Sequence, residues 1–96
     1  MRLSLEHQKI IKTACKTTFG EETEIFLFGS RVDDSKLGGD IDLYIKTIDK
    51  TSLHQKKRKF MVELYSKLGE QKIDVIFNED ETRQIEQEAI KWGIPL

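Results

Sequence analysis

The chain has 96 residues, 38 % of them hydrophobic and 34 % charged, with a formal net charge of −1 at pH 7; this length supports one modest core, so we expect a single domain over residues 1–96. The balance of acids and bases argues against a protein that coats DNA, and no apolar run approaches the roughly 18 residues that a membrane span needs. Cys15 is the only cysteine, which excludes an internal disulfide, and no signal-peptide pattern is present, so the cytoplasm is the expected compartment.

A helix and a short buried strand are the first predicted elements. Ser4 is a suitable N-cap for a helix that runs to about residue 18, with an apolar stripe and Gly20 at its end. Residues 24–28, EIFLF, form a nearly continuous apolar run that stops at Gly29. Such a run is typical of a strand buried on both faces.

Residues 40–45, DIDLYI, alternate polar and apolar side chains in the manner of a second strand. Asp40, Asp42 and Tyr44 would share one face, and the intervening apolar residues would share the other. We therefore expect the apolar face to join the core and the acidic face to carry chemistry.

A helix, a strand and a second helix are predicted for the rest of the chain, over about 51–68, 72–77 and 81–92. The predicted inward residues of the two helices are Leu53, Phe60, Met61, Leu64, Tyr65, Leu68, Ile85, Ala89 and Trp92. The order α-β-β-α-β-α predicts an α+β (α/β sandwich) fold, with a small mixed sheet packed against helices.

Acidic residues on two predicted strands can form a metal site. Asp40 and Asp42 project from one face about 7 Å apart along the backbone, where two charges repel unless a cation lies between them. Asp74 has matching parity on the next strand, so the three carboxylates meet if the strands are neighbours. Mg²⁺ prefers carboxylate oxygens, and such a set can hold two ions about 4 Å apart.

A Gly-Ser turn follows the first strand. Gly29 would let the backbone approach a phosphate, and a turn that opens into a helix directs free N–H groups at an anion. Ser30 adds a hydroxyl donor, Arg31 adds a positive charge, and Gly39 keeps side chains away from the approach to Asp40. An Asp-x-Asp pair alone also occurs in surface turns and helix caps, but the combination favours a site for a nucleoside triphosphate and its metal.

The stretch FGSRVDDSKLGGDIDLYI, followed by KIDVIF, resembles the nucleotidyltransferase superfamily that includes DNA polymerase β. The chain is most similar to the minimal nucleotidyltransferases, which are stand-alone catalytic domains, and the similarity covers essentially its whole length. The loop between the Gly-Ser turn and the first aspartate is one residue shorter than is usual in that family. A change of one residue in a loop rarely moves the flanking strands, so we expect the site to be retained.

The resemblance implies roles for individual residues. Gly29 and Ser30 would hold the triphosphate, and Asp40 and Asp42 would bind the metals. Asp74 would complete the catalytic and metal-binding set and help to deprotonate the acceptor. These roles imply a Mg²⁺-dependent enzyme, with two ions and ATP as the substrate.

The resemblance also implies a biological role. Minimal nucleotidyltransferases are commonly paired with HEPN-family toxins and act as antitoxins that transfer AMP from ATP to a tyrosine of the toxin. A chain of this length has no room for an acceptor-binding domain, so we expect a HEPN-type partner or self-association. Direct nucleic-acid binding and membrane association are not expected.

Two alternatives stay open. The chain could be a non-catalytic module that neutralises a partner by covering it, or a nucleotidyltransferase for small molecules that resembles the aminoglycoside-modifying enzymes. The basic stretch HQKKRK, residues 54–59, is either the solvated face of a helix or a contact for nucleic acid or an acidic partner.

Overall fold

The computed structural model describes residues 3–29, 40–69 and 71–96. Its elements in chain order are α1 (Leu5–Phe19), β1 (Glu24–Phe28), β2 (Ile41–Lys46), α2 (Leu53–Leu68), β3 (Ile73–Phe77), α3 (Gln84–Trp92) and β4 (Ile94–Pro95). The predicted order α-β-β-α-β-α is confirmed, and β4 is an addition that the sequence pattern did not predict.

The strands form one mixed sheet with the order β3-β2-β1-β4. β1 pairs antiparallel with both β2 and β4, whereas β2 and β3 are parallel. α2 makes the crossover that two parallel neighbouring strands require. The predicted small α+β fold with a mixed sheet is therefore confirmed.

The helix ends follow local signals in the sequence. The Ser4 side chain accepts a hydrogen bond of 3.1 Å from the backbone N–H of His7, as expected of an N-cap. α1 ends at Gly20 and α2 at Gly69, which have φ values of 116° and 82°. These left-handed values suit glycine, which has no Cβ.

The main core lies between one face of the sheet and helices α1 and α2. Its fully buried members include Ile11, Cys15, Leu27, Ile41, Leu43, Ile45, Phe60 and Leu64. Phe19 packs edge-on against Phe60 and Phe77, with ring centroids 5.5 and 5.4 Å apart. Burial raises the pKa of the Cys15 thiol to about 12, which agrees with a structural role for this cysteine.

α3 covers only part of the opposite face of the sheet, where Phe28, Tyr44 and Ala89 are buried together.

Among the described residues, no helix has the length and apolar character that a membrane crossing requires.

The predicted inward faces of the last two helices need correction. Tyr65 is exposed on α2, and Ile85 and Trp92 are exposed on α3. On α3 the buried positions are Glu86 and Ala89. Glu86 is inward because its carboxylate finds hydrogen-bond donors there, and this rotates the apolar residues Ile85 and Trp92 away from the sheet.

Candidate active site

Three carboxylates converge where β2 and β3 lie side by side. The parallel register places Asp42 directly opposite Asp74, and Asp40 precedes β2 by one residue. One oxygen atom from each of the three side chains lies within 4.8 Å of the others. The strand pairing thus brings together the acidic residues that the sequence pattern placed on matching faces.

The cluster is electrostatically strained without a cation. Burial, then the negative charges of Asp74 and Asp40, raise the pKa of Asp42 to about 6, and a side-chain hydrogen bond with Asp74 acts in the same direction. Asp42 and Asp40 are partly buried, and Asp74 is exposed. A group of like charges at this distance favours either a shared proton or a bound positive ion.

Lys72 is a basic neighbour that the sequence analysis missed. Its ammonium lies 3.5 Å from an Asp40 carboxylate oxygen, and its charge lowers the pKa of Asp42. The sequence did contain a signal for this contact. Lys72 precedes Asp74 by two residues, as Asp40 precedes Asp42, so a parallel pairing of Asp42 with Asp74 also sets Lys72 beside Asp40. The Lys72 side chain is well exposed and that of Asp40 is partly exposed, so solvent screens the ion pair and it contributes little stability.

Gly29 lies against the cluster and is required there for two reasons. Its φ of 78° is left-handed, and a Cβ built at this position would overlap the carboxylate of Asp42. The antiparallel pairing of Phe28 with Asp42 produces this close approach. Ser30, Arg31 and Gly39, predicted to contact a triphosphate, lie outside the described residues, as does Gly38.

An open cleft of about 880 Å³ is lined by two of the carboxylates, those of Asp42 and Asp74. A cleft of this volume is large enough for a nucleotide. Its described lining comprises Phe28, Gly29, Asp42, Lys57, Met61, Ile73, Asp74, Val75, Ile76, Ile85, Glu88 and Trp92. The α3 residues of this wall were missed because Ile85 and Trp92 were assigned to the core, although their spacing with Glu88 marks a single helix face.

The donor set suits a hard divalent cation. The three side chains offer oxygen ligands only, they converge on one point, and their mutual repulsion would be relieved by a positive ion. The absence of a side chain at Gly29 lets the Asp42 carboxylate lie against the backbone of residue 29. The arrangement of the three carboxylates can therefore hold a metal ion.

The structure thus combines a small α+β fold, a mixed sheet, and three carboxylates that converge beside Gly29. A family model described as "Polymerase beta, Nucleotidyltransferase" matches residues 8–96. The chain therefore belongs to the polymerase beta nucleotidyltransferase family, which confirms the resemblance read from its motifs. No curated protein gives a significant match to the sequence.

Proposed function

We propose that this protein is a Mg²⁺-dependent nucleotidyltransferase that transfers a nucleoside monophosphate, AMP from ATP, to a hydroxyl group and releases pyrophosphate. The observation that carries the proposal is the convergence of three carboxylates within 4.8 Å, beside Gly29, in a member of this family. The open cleft that Asp42 and Asp74 line supports the proposal with space for a substrate.

Asp40, Asp42 and Asp74 would hold the metal. The ion supplies charge neutralisation and polarises the phosphate oxygens when it is bound. Gly29 leaves the backbone accessible to the triphosphate, and Ser30, Arg31 and Gly39 are proposed to contact it on the basis of the resemblance. Positioning and charge neutralisation supply most of the catalysis in such reactions.

Asp74 is proposed to accept the proton of the acceptor hydroxyl. It is the exposed member of the cluster and lies on β3, which has no strand on its outer side among the described residues. The deprotonated oxygen then forms a bond to the α-phosphorus of ATP. The bond between that phosphorus and the bridging oxygen breaks, and pyrophosphate leaves with the bonding electrons.

For the acceptor we propose a tyrosine of a HEPN-type partner, with this chain as the antitoxin in the cytoplasm. The support is the resemblance to minimal nucleotidyltransferases, together with a cleft that is open on one side. A homo-oligomer is the other assembly that the proposal allows.

The test is transfer of label from α-labelled ATP to the co-purifying partner in the presence of Mg²⁺, followed by mass spectrometry for the added AMP. We expect Asp42→Asn to abolish transfer because it removes a metal ligand. Glu63→Gln is the matched control, since Glu63 pairs with Lys67 on α2 and does not line the cleft. A folded Asp42→Asn protein that still transfers AMP would refute the proposal.

A binding-only function gives a different result in the same experiment. In that case a folded variant with Asn at positions 40, 42 and 74 would still neutralise the partner completely, and the partner would not gain the mass of AMP.

A further inference from the structure

α3 presents an aromatic surface to the same cleft as the carboxylates. Ile85, Glu88 and Trp92 lie on one face of the helix, and all three line the cleft together with Asp42 and Asp74. The indole of Trp92 is 63 % exposed, so it contributes little to the core. A large exposed aromatic ring in a concave site is a typical feature of a ligand-binding wall.

The backbone fixes the position of Trp92. It is the last residue of α3, and the N–H of Gly93 donates to the carbonyl of Ala89 at 2.8 Å. A Cβ at position 93 would clash with that carbonyl, so glycine is required for this sharp exit from the helix. The chain then pairs with β1, which anchors the segment on its other side.

The strand register places Trp92 close to Gly29. Leu27 pairs with Ile94 in the antiparallel β1–β4 ladder, so the chain on the Trp92 side of β4 runs alongside the end of β1 from which Gly29 follows. An aromatic ring held on a rigid backbone loses little conformational entropy when a ligand stacks on it.

One lysine lies next to the indole, and another lies in the lining of the cleft. The Lys91 ammonium lies 5.0 Å from the centroid of the Trp92 ring, and Lys57 lines the cleft. A nucleoside triphosphate combines a flat aromatic base with anionic phosphates. The cleft offers Trp92 to the base, Lys57 to the phosphates, and the carboxylates of Asp42 and Asp74 to the metal that accompanies them.

We propose that Trp92 is the stacking platform for the base of the nucleoside triphosphate, an inference that rests on the proposed nucleotidyl transfer. Every base has a flat π-face, so a stacking platform tolerates any base but binds those with the larger ring area more tightly. The preferred substrates are therefore purine nucleoside triphosphates, with ATP and GTP binding more tightly than CTP and UTP.

Intrinsic fluorescence tests the platform in the unmodified protein, because Trp92 is the only tryptophan of the chain. We expect ATP with Mg²⁺ to quench the emission. Inorganic tripolyphosphate with Mg²⁺ carries the phosphates without a base, and we expect it to compete with ATP but to leave the emission nearly unchanged. Equal quenching by the two ligands, or calorimetric binding of ATP without quenching, would overturn the inference.

Variants at the platform give the quantitative test. Calorimetry in Mg²⁺ should show ATP binding weakened between about fivefold and about a hundredfold in Trp92→Ala and largely retained in Trp92→Phe. Ile90→Ala is the matched control, because Ile90 is exposed on the same helix and does not line the cleft. Tripolyphosphate affinity should be the same in all four proteins.

The outcomes separate this inference from the proposed function. Wild-type protein that binds ATP and transfers AMP, with unchanged ATP affinity in Trp92→Ala, refutes the stacking platform alone. An equal loss of ATP and tripolyphosphate affinity in Trp92→Ala also refutes it, because the indole would then act on the phosphates or on the fold. Wild-type protein that binds neither ligand refutes nucleotidyl transfer and the platform with it.

Discussion

Asp42 lowers the stability of the metal-free protein at neutral pH. Its pKa is raised from 3.8 to about 6. Between these two pH values, the folded state therefore keeps a proton on Asp42 that the unfolded state has already released. The stability that this proton contributes is fully present below about pH 3.8 and is lost as the pH rises through about 6. A carboxylate kept in this place reflects a requirement of the site rather than of the fold.

Replacing Asp42 by Asn should therefore stabilise the metal-free protein at pH 7. A pKa change from 3.8 to about 6 corresponds to about 3 kcal/mol, and we expect about 1 kcal/mol because Asp42 is partly exposed. Urea unfolding in chelator at pH 5 and pH 7 measures the effect. The gain should be larger at pH 7 than at pH 5, and an equal gain at both would contradict the prediction.

Gly29→Ala should both strain the backbone and disturb the metal site. A left-handed φ costs a residue with a Cβ about 1–2 kcal/mol, and the new methyl group would displace the Asp42 carboxylate. Gly69→Ala is a close control, since Gly69 has a similar φ of 82° with no atom near its Cβ position. Both variants should lose unfolding free energy, but only Gly29→Ala should lose Mg²⁺ affinity in a titration. Equal Mg²⁺ binding by the two would show that Gly29 has no role at the site.

At the scale of the elements, a buried polar network holds α3 to the sheet. Glu86 is fully buried and accepts hydrogen bonds from the Tyr44 hydroxyl at 2.9 Å, the Asp80 N–H at 2.7 Å and the Arg83 Nε at 2.8 Å. Burial alone would raise the pKa of Glu86, but these donors outweigh it and hold the pKa below its usual value. The network also fixes the helix whose opposite face forms the wall of the cleft.

Glu86→Gln should cost about 2–4 kcal/mol of unfolding free energy, because it removes the charge from these hydrogen bonds and turns an amide donor toward other donors. The stability that Glu86 contributes is present above its unfolded pKa of 4.5 and is lost as the pH falls through the lower folded value. The wild type should therefore lose stability below about pH 4.5 more steeply than the variant does. Thermal unfolding at pH 3 to 6 measures this, with Glu88→Gln on the exposed face as the control. Parallel pH profiles for wild type and Glu86→Gln would argue against a charged Glu86.

These contacts explain which elements could be predicted from the sequence. Helix ends at Ser4, Gly20 and Gly69 depend on neighbouring residues, and the period-2 pattern of β2 and β3 gives their faces directly. The inward face of α3 was mispredicted because the burial of Glu86 depends on partners from β2 and a loop. β4 was missed because two residues carry no periodic signal and pair with β1 only in the folded chain.

In the candidate site, too, some features follow from the local sequence pattern and others from tertiary packing. The matching parity of Asp42 and Asp74 predicted their common face, but the parallel register that sets them opposite each other is a property of the folded sheet. The position of Trp92 beside them depends on how α3 rotates over the sheet, which follows from Glu86 and Tyr44. Local pattern therefore predicted the acidic centre of the site, and tertiary packing determined its aromatic wall.

At the scale of the whole molecule, the buried residues of the main core and the acidic residues of the candidate site lie in different parts of the fold. α1 and α2 bury one face of the sheet in the main core, and α3 packs on Phe28 and Tyr44 of the other face. The acidic end of that face is left open as a cleft, where the carboxylates repel one another without being part of the main core. A ligand that neutralises this end should stabilise the entire domain, since it binds only the folded state.

Mg²⁺ should consequently raise the melting temperature in a concentration-dependent way. At about a hundredfold excess over the dissociation constant, one site contributes about 2.7 kcal/mol, which for a domain of this size is a rise of about 10–20 °C. Screening by salt also weakens the repulsion among the carboxylates, so the comparison is made against NaCl at equal ionic strength.

The rise in melting temperature should disappear in Asp74→Asn, where one ligand is lost while Gly29 and α3 are unchanged. If Asp74→Asn gains as much from Mg²⁺ as the wild type does, the ion binds elsewhere and the three carboxylates are not its site. If NaCl alone reproduces the rise, the cluster responds to ionic strength and does not coordinate a metal.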